Sequence, residues 1–107
     1  MILQITFNFN VPVAEYQKMA DSVAHAFLDV PGLSWKIWLL NPAAQEAGGI
    51  YLFDSQASLD RYLNGPLVAD LRAVTSIRNI SVKQFEVMPE ITALTRGPFE
   101  AALMSGA

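Results

Sequence analysis

Cysteine is missing altogether from the 107 residues. This excludes a disulfide framework, a thiolate zinc site and a cysteine nucleophile, and leaves the core to hold by packing alone. Histidine occurs once, at His25. One imidazole and scattered carboxylates make neither a serine-hydrolase triad nor a metal coordination set, so hydrolase and metalloenzyme readings are disfavoured and no metal is expected. Charge is sparse: seven Lys plus Arg against ten Asp plus Glu leave −3 at neutral pH, without the basic stripe that nucleic-acid or anionic-membrane binding needs. No apolar run reaches the roughly 18 residues of a membrane span. The start Met1-Ile2-Leu3-Gln4 lacks the basic opening and cleavage site of a signal peptide, and the expected location is the cytoplasm. Gly48-Gly49 opens no helix and belongs to no phosphate-cradling pattern; a bulge or close strand approach explains it, and nucleotide binding is disfavoured.

What is present is apolar. Hydrophobic residues make up 52% of the chain and six of the eleven aromatics are Phe, a composition that folds rather than remaining disordered. The length suits one domain. Mean hydropathy of +0.29 is high for so small a surface-to-volume budget and favours a homodimer.

Alternation over Ile2 to Phe9 places Leu3, Ile5, Phe7 and Phe9 on one face of a first strand. After Asn10-Val11-Pro12, helical spacing predicts a helix from Val13 to Val30, with His25 on its solvated side. Pro31-Gly32 ends it. Leu33 to Leu40 alternates again, with Leu33, Trp35, Ile37 and Leu39 opposite Ser34, Lys36, Trp38 and Leu40, and Glu46 to Phe53 completes a hairpin. Asp54 or Ser55 caps a second helix carrying Leu59, Tyr62 and Leu63, and Gly65-Pro66 leads into a short helix from Leu67 to Val74. A last strand runs from Ile77 to Val87, with a bulge expected between Val82 and Phe85.

The order βαββ(αα)β is that of an α+β, ferredoxin-like split βαβ sandwich with a four-stranded antiparallel sheet. The compact domain spans 1–89. Residues 90–107 form a C-terminal tail, small-residue-rich around Ala101-Ala102-Leu103 and expected to pack on the dimer partner. The uniformly apolar faces of the first two strands are expected under the helices, which leaves Trp38 and Leu40, with Tyr51 or Phe53, on the free face, and pairing two such sheets would bury them. Trp38 is then an interface anchor more readily than a ligand contact.

Pro31-Gly32-Leu33-Ser34-Trp35-Lys36-Ile37-Trp38, Asn41, Glu46-Ala47-Gly48-Gly49-Ile50-Tyr51-Leu52-Phe53 and Tyr62-Leu63, together with the opening Leu3-Gln4, Phe7, Phe9-Asn10 and Pro12, resemble the YdhR-type monooxygenase family over about the first ninety residues. The resemblance implies a dimeric α+β barrel, from the superfamily that includes cofactor-free, quinone-forming oxygenases.

Oxygenation without flavin, haem or metal requires the substrate itself to supply electrons, hence an electron-rich ring such as an anthrone or hydroquinone. The protein must then supply an apolar pocket, a base and a donor for the anion or peroxide. Trp35, Tyr51 and Asn10 are the candidate catalytic residues. Phe7, Phe9, Lys36, Trp38 and Phe53 are candidate substrate contacts, with no cofactor. Each has a plainer alternative: Trp35 as a core filler whose indole N–H finds a carbonyl, and Lys36 paired with Glu46 across the hairpin rather than drawn between rings as a base of lowered pKa. Asp54, Asp60, Asp70 and Glu86 are read as cap and surface charges. The same pocket would also suit a non-catalytic module for a small hydrophobic molecule, or a proton-transfer isomerase. A haem-degrading reading is weakened because His25 is placed away from the cavity.

Overall fold

The computed structural model describes residues 1–98. Four strands, β1 (Ile2–Phe9), β2 (Leu33–Asn41), β3 (Glu46–Phe53) and β4 (Ile77–Phe85), form one antiparallel sheet in the order β2-β3-β1-β4. Helices α1 (Val13–Val23), α2 (Gln56–Leu63) and α3 (Pro66–Ala73) cover one face. This is the expected α+β ferredoxin-like sandwich. Leu3, Ile5, Phe7 and Phe9 are all buried beneath the helices, as strand alternation requires.

Ser55 is the N-cap of α2, its hydroxyl accepting from the Ser58 N–H at 3.1 Å, and Pro66 opens α3 at its first turn, where a missing N–H costs nothing. Between Val13 and Val30 the structure differs from a single helix: α1 ends at Val23 and the chain winds on as a 3-10 turn over Ala24–Asp29. The tighter winding tips Phe27 inward onto the sheet, against Trp38. Val30, with ψ at 117°, leaves helical space before Pro31, as a residue preceding proline must.

Two bulges set the faces of the sheet. In β2, Leu33 pairs with Phe53 but Trp35 pairs with Leu52, so Ser34 is an extra residue. Beyond it the parity of side chains is inverted. Leu33, Lys36, Trp38 and Leu40 share the helix-covered face with Tyr51 and Phe53, whereas Trp35, Ile37 and Leu39 share the other face with Ile2, Ile50 and Leu52. The expected assignment of the two faces of β2 is therefore reversed, and Tyr51 and Phe53 are core residues rather than free-face ones. In β4 the slip lies at Asn79-Ile80, between the Thr6–Ser81 and Asn8–Arg78 pairs, with Asn79 in the left-handed region at φ 58°. It is not between Val82 and Phe85; those two side chains simply point to opposite faces, and the strand stops at Phe85.

The helix-free face is partly covered by the chain's own continuation. α4 (Pro89–Leu94) follows β4, and Trp35 Nε1 donates to the Pro98 carbonyl. The Ala101-Ala102-Leu103 stretch of the expected tail lies outside the described residues. No helix among the described residues is long and apolar enough to cross a membrane.

Candidate functional site

A cavity of about 260 Å³ lies between the helix-covered face of the sheet and α1, α3 and the 3-10 turn. Phe7 from β1, Phe27 from the 3-10 turn and Leu67, Leu71 and Val74 near α3 make most of its wall. Its polar groups are few: the phenols of Tyr16, Tyr51 and Tyr62, the Lys36 amine, Ser22 and, at the rim, the exposed Asp70. An apolar hollow with a small number of converging polar atoms is the usual form of a small-molecule site. A larger groove of about 520 Å³ lies on the opposite face, between Ile2, Trp35, Leu52 and α4. It is shallow and apolar, and among the described residues Glu86 is the only titratable group that lines it.

Lys36 enters the cavity because the β2 bulge turns it toward the helices, opposite Tyr51. Gly49 makes the room: a Cβ there would stand 2.6 Å from Lys36 Cε and 3.3 Å from Tyr51 Cε1. The amine is enclosed by rings, with Nζ 3.4 Å from the centroid of Trp38, 3.8 Å from Phe27 and 4.8 Å from Tyr51. Burial lowers its pKa from 10.5 to about 7, with no charged partner contributing, because the charged form loses its hydration. The expected ion pair with Glu46 does not form. Five residues of register separate the Lys36–Tyr51 and Asn41–Glu46 pairs, and Glu46 sits opposite Asn8 on the other face.

Tyr62 from α2 donates its hydroxyl proton to Tyr51 Oη at 3.2 Å, in a buried pair. Burial pushes the Tyr51 phenol far above its usual range, with the neighbouring Tyr62 adding to the shift, and burial also raises Tyr62 and Tyr16. All three are phenols, not phenolates, at neutral pH. Tyr16 is held by stacking on Phe9, centroids 4.7 Å apart.

Of the residues singled out from sequence, Phe7, Lys36, Trp38 and Tyr51 meet at this cavity. Phe9 and Phe53 are buried in the core behind it, Phe53 beneath the Tyr51 and Tyr62 rings. Trp35 and Asn10 are elsewhere. Trp35 is on the helix-free face, where its indole N–H does find a carbonyl. Asn10 is exposed at the end of β1, its amide nitrogen 3.2 Å from the Ser76 carbonyl and its oxygen accepting from Arg78 Nη2 at 2.9 Å. Trp38 lines the cavity mouth rather than the free sheet face. Sequence reasoning missed Phe27 and Tyr62 as cavity residues: both read as ordinary apolar positions of helices, and only the 3-10 winding and the helix placement bring them over the sheet.

The chain belongs to the family described as "Putative mono-oxygenase ydhR", whose pattern it matches over residues 2–98. Its fold is that of antibiotic biosynthesis monooxygenase-type proteins. A protein of unknown function from Nitrosomonas europaea is similar at TM-score 0.71 and 16% identity, over 81% of this chain and 87% of that one. The haem-degrader MhuD of Mycobacterium tuberculosis, with two haems in its active site, is similar at TM-score 0.63 and 19% identity, over 82% and 96%. SnoaB, a cofactor-independent oxygenase from Streptomyces nogalater, is similar at TM-score 0.59 and 18% identity, over 83% and 96%. No curated protein matches. The residues that line this cavity do not fit a haem. His25 is exposed on the 3-10 turn and does not line it, the Tyr51 and Tyr62 hydroxyls bond each other, and no group of three metal-ligating side chains occurs among the described residues.

Proposed function

We propose that the protein is a homodimeric monooxygenase that needs no cofactor and oxidises a small, electron-rich aromatic compound in the cavity between sheet and helices. The observation that carries this reading is the convergence of the Lys36 amine and the Tyr51–Tyr62 hydroxyl pair on one apolar hollow. With a pKa of about 7, a substantial fraction of Lys36 is the neutral amine, the protonation state a general base requires. It takes a proton from an activated ring carbon or phenol, and the resulting carbanion or phenolate gives one electron to dioxygen. Recombination forms a carbon–oxygen bond as a peroxide, and loss of water leaves the quinone. For an anthrone the sum is ring CH₂ plus O₂ to ring C=O plus H₂O, with all four electrons drawn from the substrate. Tyr51 donates a hydrogen bond to the substrate oxygen as charge develops there. Phe7, Phe27 and Trp38 hold the ring and keep the site dry.

Membership of the family and the fold shared with an oxygenase support the class of reaction; the residues of the cavity support its form. Trp35 and the apolar groups around it have their role at the sheet face that pairs the protomers.

Purified, metal-stripped protein incubated with an anthrone should consume one dioxygen per quinone formed. Lys36→Met should lower the rate by about 10²-fold or more, the usual worth of a general base. Exchange of a substrate proton without oxygen uptake would replace this reading with a proton-transfer isomerase, and tight binding without turnover would leave a binding module.

A further inference from the structure

The surroundings of Lys36 suit chemistry other than proton abstraction. Its stem lies in the groove that Gly49 leaves open, and its Nζ stands over Trp38, Phe27 and Tyr51 beside a hollow with room for a small ring. Among the described residues, the other charged or titratable groups at this cavity are Tyr16 on α1, Tyr51 on β3, Tyr62 on α2 and Asp70 at the rim on α3. None is an ion-pair partner of the amine. A desolvated lysine in an apolar pocket is the environment in which amines act as nucleophiles toward carbonyl carbon. A phenol ring carrying a proton donor is also at hand, 4.8 Å from Nζ.

We infer that Lys36 forms a reversible imine with small aromatic aldehydes and ketones that enter this cavity. The nitrogen lone pair forms the new C–N bond while the carbonyl π pair moves to oxygen, which is protonated. The nitrogen gives up its two protons, the oxygen departs as water and the C=N bond closes. Amine plus carbonyl gives imine plus water, with nothing oxidised or reduced. Phe7, Leu67 and Leu71 receive the ring, and the Tyr51 hydroxyl is the proton donor beside the carbonyl oxygen. At pH 7 much of Lys36 is neutral, whereas an exposed lysine of ordinary pKa is almost wholly protonated and unreactive. The inference does not depend on the oxygenase reading, because imine formation needs no oxygen.

The test is borohydride trapping under nitrogen. The full chain is incubated at pH 7 with benzaldehyde and sodium cyanoborohydride, and adducts are mapped by peptide mass spectrometry. Lys36 should gain one benzyl group at least about tenfold faster than Lys18 or Lys83. The chain's α-amine, whose pKa is also lowered, is mapped separately. Lys36→Arg should abolish the fast adduct while leaving the slow ones unchanged, and Gly49→Ala, which expels the Lys36 stem, should bring Lys36 down to the rate of the other lysines. Labelling of Lys36 no faster than Lys18 and Lys83 in the folded protein, or a fast adduct that persists in Lys36→Arg, would overturn the inference. Trapping without oxygen uptake would sink the oxygenase reading alone, and uptake without trapping would sink the imine alone.

Discussion

Lys36 sits where two forces oppose each other. Burial among rings strips its ammonium of water, and the ring faces return part of that loss through cation–π attraction. The net lowering of its pKa to about 7 has a defined consequence for stability. An amine whose folded pKa lies below its unfolded value is destabilising wherever it must be protonated in the folded state, and the penalty disappears as pH rises from the folded toward the unfolded pKa. Unfolding free energy should therefore increase from about pH 7 toward pH 10, above which the unfolded tyrosines ionise and the raised pKa of folded Tyr51 reverses the trend. The α-amine of Met1, also lowered by burial, contributes with the same sign. Urea unfolding at pH 7 and about pH 9 should show a gain of about 1–2 kcal/mol, discounted from the full shift because the side chain keeps partial solvent access, and Lys36→Met should lose most of it.

The neighbouring residues lend themselves to equally direct checks. Gly49→Ala forces Lys36 out of its groove, and its NMR titration should move from about 7 toward the ordinary 10.5. Tyr51→Phe leaves the buried Tyr62 hydroxyl without its acceptor, at a cost of about 1–3 kcal/mol by denaturant unfolding. Adding Tyr62→Phe should recover part of that loss, because an apolar pair leaves nothing unsatisfied. A double variant as unstable as the sum of the singles would contradict the coupling.

Among the elements, β2 decides the most. One extra residue, Ser34, reverses which side chains face the helices. The sequence signals the strand to within a residue of its observed length, since Leu33 through Leu40 alternate and Asn41-Pro42 opens a loop. Its facing is invisible there, because both sides of this strand are apolar: Trp35, Ile37 and Leu39 on one, Trp38 and Leu40 on the other. Burial then turns on parity, which a bulge changes without altering composition. β1 had no such ambiguity, with Gln4, Thr6 and Asn8 opposite Leu3, Ile5 and Phe7, and its facing was legible from sequence. Deleting Ser34 should make the Leu33–Phe53 and Trp35–Leu52 pairs consecutive in a regular ladder with every side chain keeping its face, so circular dichroism should still show a cooperative thermal transition and the lowered Lys36 titration should persist; loss of either would contradict this role for Ser34. The α2 cap is a smaller matter. Ser55→Ala removes the hydroxyl that accepts from Ser58 N–H and should cost about 1 kcal/mol.

For the whole molecule, the helix-free face presents Trp35 and Leu52 with Ile37 and Phe85, the last two about half exposed, and Met88 and Ile91 of the α4 region beside them. Sheet-to-sheet pairing of two chains would cover these groups. Ile37→Asp should therefore shift the protein toward monomer in sedimentation velocity, because a charge would have to be buried at an apolar contact. Trp38→Asp should leave the association state alone and instead change ligand binding and the Lys36 titration, since Trp38 is on the cavity side. The opposite pattern would return the interface to the Trp38 face.

The order of the four strands and of the helices that cover them, and the antiparallel ferredoxin-like sheet, were determined by the sequence itself, through alternation, helical spacing and the placement of Pro, Gly and capping residues; the 3-10 turn over Ala24–Asp29 and α4 were not. These are local properties, and neighbours along the chain suffice to express them. The identity of the site was decided only in three dimensions. An unpaired Ser34, a 3-10 turn that tips Phe27 inward and the open flank of Gly49 together bring an amine under three rings. Desolvation of that amine depends on atoms far apart in the chain, and no periodicity of residues encodes it.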